Sequence, residues 1–209
     1  LSREQINNVM SLYSQGQFEE AIVQIKALNK IYPNVPLLFN LIGACYRQLG
    51  QLDGSIKMFK IAVELKPDYA EAFFNLGSVL MENKIIDEAI ESYKKAISIQ
   101  PNYPDAYNNI GNILKNAKEQ LDAAIENLEW AVAYNPNFAE AYNNLGLAFS
   151  DSGRVIDAIR CFEKAISINS NYDNAYFNLA ICLKDIGNKS EFIKNIEKAI
   201  SLRPDWGDA

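Results

Sequence analysis

An all-α solenoid of six stacked helical hairpins is the fold predicted for this 209-residue chain. Three observations predict it. The sequence repeats itself every 34 residues, each repeat carries two helical hydrophobic patterns, and each pattern is followed by residues that stop a helix. Self-similarity at such a period marks supersecondary units that stack, because one hairpin cannot bury its apolar faces alone. The rows run 2–35, 36–69, 70–103, 104–138, 139–172 and 173–206, and residues 207–209 begin a truncated seventh. The fourth row is one residue longer, with the insertion expected in the turn near Lys118-Glu119-Gln120.

The first helix of each row is read with positions counted from the start of the row. Position 4 is Phe39, Phe73, Tyr107, Tyr142 and Tyr176 from the second row on, and position 8 is Gly43, Gly77, Gly111, Gly146 and Ala180. In the third row Phe73, Leu76, Gly77 and Leu80 stand at i, i+3, i+4 and i+7, one face of a helix. With that stripe toward the core, position 6 points roughly 200° away and is expected on an outer face. Position 15 is Gly16, Gly50, Gly153 and Gly187 in four rows, suited to a left-handed helix stop.

The second helix opens on acidic pairs such as Glu19-Glu20 and Asp87-Glu88, which a helix N-terminus favours electrostatically. Its core positions in the third row are Ala89, Tyr93 and Ala96, and prolines 33, 67, 101, 136 and 204 break it before the next row begins. Ser170 is the exception. Aromatics recur at the row ends (Tyr69, Tyr103, Phe138, Tyr172, Trp206) and read as packing residues. Trp130 is expected near the core of its second helix. Cys45, Cys161 and Cys182, odd in number and without CxxC spacing, read as small core-side residues, not as disulfides or a zinc site. The first row departs most, with Gln5 and Val9 where an aromatic and a glycine belong; only "GQFEEAIVQIKALNKIYP" (16–33) fits well there. It reads as an end repeat. No polar capping helix closes the opposite end, so an exposed apolar face and end-to-end self-association are expected.

The rows "AEAFFNLGSVLMENKIIDEAIESYKKAISIQPNY" (70–103) and "AEAYNNLGLAFSDSGRVIDAIRCFEKAISINSNY" (139–172) carry nearly the whole signature of the tetratricopeptide repeat (TPR). The chain resembles that family over essentially its entire length. The resemblance implies one right-handed superhelix, a single domain over 1–209, with the first helices lining a concave groove that binds protein or peptide.

Two adjacent asparagines inside a helix ask for a reason, since asparagine costs roughly 0.6 kcal/mol relative to alanine there. Position 6 is Asn7, Asn75, Asn109, Asn144 and Asn178, and only the second row breaks the series, with Leu41 at that place and Asn40 beside it. A carboxamide offers donors and an acceptor. On the groove wall that the resemblance implies, such a ladder would hold the backbone of an extended peptide, as in the TPR region of O-linked N-acetylglucosamine transferases, which the chain is similar to at these positions. Local helix–helix hydrogen bonding is the other reading of the same residues. Position 5 varies (Ile6, Asn40, Phe74, Asn108, Asn143, Phe177) and offers Phe74 and Phe177 as apolar anchors. Lys115 and Lys184 at position 12, with Arg47 and Met81, and Glu82, Asp151 and Asp185 at position 13 complete a polar lining without one dominant charge.

Composition excludes several function classes. Net charge is −6 and no run of cations appears, which argues against nucleic acid and anionic membranes as partners. No stretch approaches the roughly 20 apolar residues of a membrane span, and the first residues lack a signal peptide's apolar centre. A cytoplasmic location is expected. Histidine is absent, which removes the commonest general base and metal ligand. Single glycines never form a phosphate-cradling loop. No cofactor, metal or catalytic residue is expected. The leading expectation is a non-catalytic scaffold for a peptide or protein segment. Alternatives are the recognition arm of a larger glycosyltransferase, sulfotransferase or methyltransferase, and a self-assembling structural module.

Overall fold

The computed structural model describes residues 1–116 and 120–203, and among these every regular element is an α-helix. The expected insertion at Lys118-Glu119, together with Pro204, Trp206 and the start of a seventh row, lies outside the described residues. The helices are α1 (Arg3–Ser14), α2 (Phe18–Ile31), α3 (Pro36–Gln48), α4 (Leu52–Leu65), α5 (Ala70–Glu82), α6 (Ile86–Ile99), α7 (Pro104–Lys115), α8 (Leu121–Tyr134), α9 (Ala139–Asp151), α10 (Val155–Ile168), α11 (Asp173–Asp185) and α12 (Lys189–Leu202). They fall into two compact units, one over Leu1–Pro101 holding α1–α6 and one from Asn102 on holding α7–α12. Each unit is three helical hairpins. Within a unit the two helices of a hairpin pack on each other, the second helix also packs on the first helix of the next hairpin, and successive first helices touch, as α3 with α5 and α9 with α7 and α11.

Position 15 does what its glycines promise. Gly16, Gly50, Gly153 and Gly187 take φ between +70° and +80°. Each closes a paired hydrogen-bond cap, as where Gly153 N–H donates to Ser150 O at 3.0 Å and Arg154 N–H donates to Phe149 O at 2.8 Å. In the third row Lys84 takes the glycine's place with φ +61° and closes the same pair of bonds, to Met81 O and Leu80 O. A side chain in the left-handed region costs roughly 1–2 kcal/mol. Lys84→Gly is therefore expected to raise stability by about 1 kcal/mol, part of the relief being lost to the greater entropy of an unfolded glycine. An unchanged or lowered melting temperature counts against this reading.

The second helices end two residues before each proline: α2 at Ile31 before Pro33, α4 at Leu65 before Pro67, α6 at Ile99 before Pro101 and α8 at Tyr134 before Pro136. Proline disfavours helical dihedrals in the residue before it. Helix α10 stops at the matching place, Ile168, although Ser170 replaces the proline. There the Asn169 side chain accepts from the Asn171 N–H at 3.1 Å, the same Asx turn that Asn135 makes with the Asn137 N–H after α8 at 3.2 Å.

Hairpin packing rests on small residues at position 8 beneath large ones at position 24. A Cβ built on Gly146 would lie 2.6 Å from Phe162, and one on Gly77 2.8 Å from Tyr93. Phe162 and Tyr93 are fully enclosed. Position by position the sizes compensate: Gly43 with Phe59, Gly77 with Tyr93, Gly111 with Leu128 and Gly146 with Phe162, but Ala180 with Ile196 and Val9 with Ile25. Where the first helix carries a Cβ, the second gives up its ring.

Cys45, Cys161 and Cys182 are all buried, as their spacing suggested. Burial pushes the Cys45 thiol up to about 11 and, with Asp157 and Glu129 adding to it, the Cys161 thiol up to about 12. At neutral pH they stay protonated and inert. Trp130 departs from expectation, being 47% exposed. On α11 and α12, Ile181, Ile193 and Ile200 are exposed, whereas Leu147, Ile159 and Ile166 at the same row positions one hairpin earlier pack against the core.

Candidate functional site

The asparagines of the first helices link neighbouring hairpins. Asn75 Nδ2 on α5 donates to Asn40 Oδ1 on α3 at 3.1 Å. In the second unit Asn144 on α9 donates to Asn108 on α7 and Asn178 on α11 donates to Asn143 on α9, both at 2.9 Å. The rule is the same each time: position 6 of one row donates to position 5 of the row before. The position-5 asparagine then uses its own N–H groups on the next row's acidic residue, Asn40 reaching Glu71 at 3.3 Å and Asn108 reaching Glu140 at 3.4 Å. Asn40 also meets the Tyr69 hydroxyl at 3.4 Å. Burial, then Glu71, push the Tyr69 phenol up to about 12, while Asn40 pulls the other way.

These contacts correct the outward placement expected of position 6. Asn144 is 8% exposed, and Asn75, Asn109 and Asn178 are half-buried; Asn7, in the first row, is exposed. A helix taken alone has one core, on one side. A first helix within a stack is instead enclosed on several sides, by its own partner and by the first helices before and after it. Position 6 faces the earlier neighbour and position 5 the later one. Hence Asn40, Asn108 and Asn143, at 2–5% exposure, bridge hairpins and are not displayed to solvent.

The remaining expected residues spread over two settings. Phe74 is half-buried with its ring 5.6 Å from that of Tyr93, a packing role, whereas Phe177 is 39% exposed. At position 12, Arg47 pairs with position 13 of the next row. Arg47 Nε on α3 donates to Glu82 Oε1 on α5 at 2.7 Å. In the second unit Lys115 is half-buried; burial pulls its ammonium below the usual lysine range and Asp151 on α9 acts the other way. Lys184 is exposed. Similarly Glu88, read as a helix-dipole residue, forms an ion pair with Lys60 of the preceding hairpin at 2.9 Å. Cross-row partners of this kind were the signal that reading each helix alone missed.

Three position-6 carboxamides keep an unused half. Among the described residues, Asn75, Asn144 and Asn178 spend one N–H on the neighbouring hairpin, and their Oδ1 atoms accept no internal hydrogen bond. The bond to position 5 fixes the rotamer, so the remaining donor and acceptor point in a set direction. Asn109 makes no side-chain hydrogen bond among the described residues.

Known proteins place the chain. The family model described as TPR repeat matches residues 43–84, 85–117 and 114–153. Two further models described as tetratricopeptide repeat match 139–172 and 161–193. No curated protein matches the sequence. Among solved structures, MamA is 30% identical with a TM-score of 0.72, the alignment covering 80% of this chain and 98% of that one. YrrB, described as a TPR protein with an unusual peptide-binding site, is 20% identical with a TM-score of 0.72 and coverage of 87% and 93%. The C-terminal part of a TPR repeat-containing protein from Cytophaga hutchinsonii is 22% identical with a TM-score of 0.76, covering 96% and 80%. The spaced signature, the hairpins with glycine beneath aromatic, and these matches together make the chain a member of the tetratricopeptide repeat family.

Proposed function

We propose that this chain is a non-catalytic protein-interaction scaffold that holds an extended peptide or protein segment against the first helices of a unit. The observation that carries this reading is the set of position-6 carboxamides: those of Asn75, Asn144 and Asn178 are held by the neighbouring hairpin with the oxygen and second N–H unspent, and that of Asn109 is wholly unspent among the described residues. Groups fixed before binding lose little entropy on binding. They recognise a backbone, so ligands of different side-chain sequence are bound alike, with Lys184 and Phe177 as peripheral contacts. Membership of a family of interaction modules and the fold shared with YrrB support the same reading. The absence of histidine from the sequence is in keeping with a scaffold.

Asn109 gives the clean test, because its side chain holds no internal hydrogen bond among the described residues. Asn109→Ala is expected to leave the melting temperature unchanged or to raise stability by about 0.6 kcal/mol through helix propensity. Peptides selected from a randomised library against the native chain should bind this variant more weakly by about 0.5–1.5 kcal/mol, whatever their sequence. Unchanged affinity for every selected peptide would retire the backbone-ladder reading.

A further inference from the structure

The solvent face of α8 differs from that of its counterparts. At the row position of Trp130, three other rows hold lysine (Lys95, Lys164, Lys198), all exposed. Here a tryptophan stands instead, 47% exposed. Its ring stacks on Tyr134 one turn later, with centroids 5.7 Å apart and planes at 24°. Tyr134 stacks in turn on Tyr107 of α7, again at 5.7 Å and 24°, and Tyr107 lies 6.4 Å from Trp130. Three rings therefore form one cluster with the indole outermost. The clustering fixes the indole's orientation while leaving much of its surface in water.

The charges beside it have one sign. Helix α8 carries Asp122, Glu126 and Glu129 and no lysine or arginine. At about 100° per residue these three lie within a 100° arc to one side of Trp130, and Ala124, Ile125, Leu128 and Ala131 take the opposite, buried side. Among the described residues none of the three carboxylates has an ion-pair partner. We infer that this face, the indole of Trp130 on its tyrosine base with the carboxylates beside it, is a docking surface for an arginine-bearing segment of a partner protein. A guanidinium stacks on an aromatic face and pairs with carboxylates at once, and tryptophan has the strongest ring quadrupole of the three. A purely apolar partner would leave the carboxylates desolvated without compensation. The surface belongs to the second unit alone and uses none of the asparagines proposed to hold a peptide backbone.

The test is fluorescence anisotropy of labelled acetyl-tetra-arginine amide with the full chain at low ionic strength. Trp130→Lys restores the residue of three other rows and is expected to fold normally by circular dichroism. It should bind at least roughly fivefold more weakly. Glu163→Gln makes the same change in net charge on an exposed site of α10 and should cost less than about twofold. Trp130→Leu, which keeps apolar bulk and removes the ring, should resemble Trp130→Lys. Absence of saturable binding to the native chain would overturn the proposal, as would equal losses from Trp130→Lys and Glu163→Gln, or native affinity in Trp130→Leu.

Discussion

Asn108→Ala is expected to destabilise the chain by about 2 kcal/mol, although alanine is the better helix former by about 0.6 kcal/mol. The side chain is 3% exposed and serves two others. Its oxygen accepts from Asn144 at 2.9 Å and its amide reaches Glu140 at 3.4 Å. Truncation strands the Asn144 donor at a site that is itself 8% exposed, and an unsatisfied buried donor costs about 1–3 kcal/mol. The Glu140 contact is long and Glu140 is exposed, so that bond adds little. Asn144→Ala should cost less than Asn108→Ala, because it leaves an acceptor and not a donor unpaired. In the double variant the second substitution should be nearly free, a coupling of about 1 kcal/mol. Denaturant unfolding of the four proteins reads this out directly. Additive losses would mean that the two side chains act independently, and a native midpoint for Asn108→Ala would remove the bridge from the account.

Gly146→Val is expected to cost about 3 kcal/mol, at the upper end for an overpacked core. A Cβ there would sit 2.6 Å from Phe162 Cε1, and the ring is fully enclosed and has nowhere to move. The sixth row shows how the sequence accommodates a side chain at this place, by setting Ala180 against Ile196. Gly146→Ala combined with Phe162→Ile copies that pair and conserves the combined size. The double variant should therefore lose less than about 1.5 kcal/mol, the usual limit for volume-conserving swaps. Phe162→Ile alone leaves a cavity and Gly146→Ala alone a clash, so each single change should be worse than the two together. Melting curves of the three variants decide it. A double variant less stable than both singles would show that positions 8 and 24 do not compensate.

Much of this was legible in the sequence, and one part was not, for a physical reason. The 34-residue period, the glycines at position 15 and the prolines after the second helices are local rules, since backbone dihedrals and helix stops depend on a few neighbouring residues. They placed all twelve helices now described. Lys84 escaped because its left-handed φ is imposed by the cap, not by its own preference. Position 6 does not point outward because a helical wheel drawn for one helix knows one core, whereas helix–helix hydrogen bonding, the other reading of these asparagines, is what Asn75, Asn144 and Asn178 do. Asn40 and Asn75 lie 35 residues apart and become partners only when two hairpins stack. The same holds for Arg47 with Glu82 and for Asn143 with Asn178. Trp130, expected near the core of its second helix, stands instead at a row position that three other rows fill with exposed lysine, and the stack adds the tyrosine base beneath it. The sequence by itself determined where each helix starts, stops and turns, because those are short-range effects. Which polar side chains bridge hairpins and which face solvent was decided by the stack, since burial is a property of neighbours that a single helix does not contain.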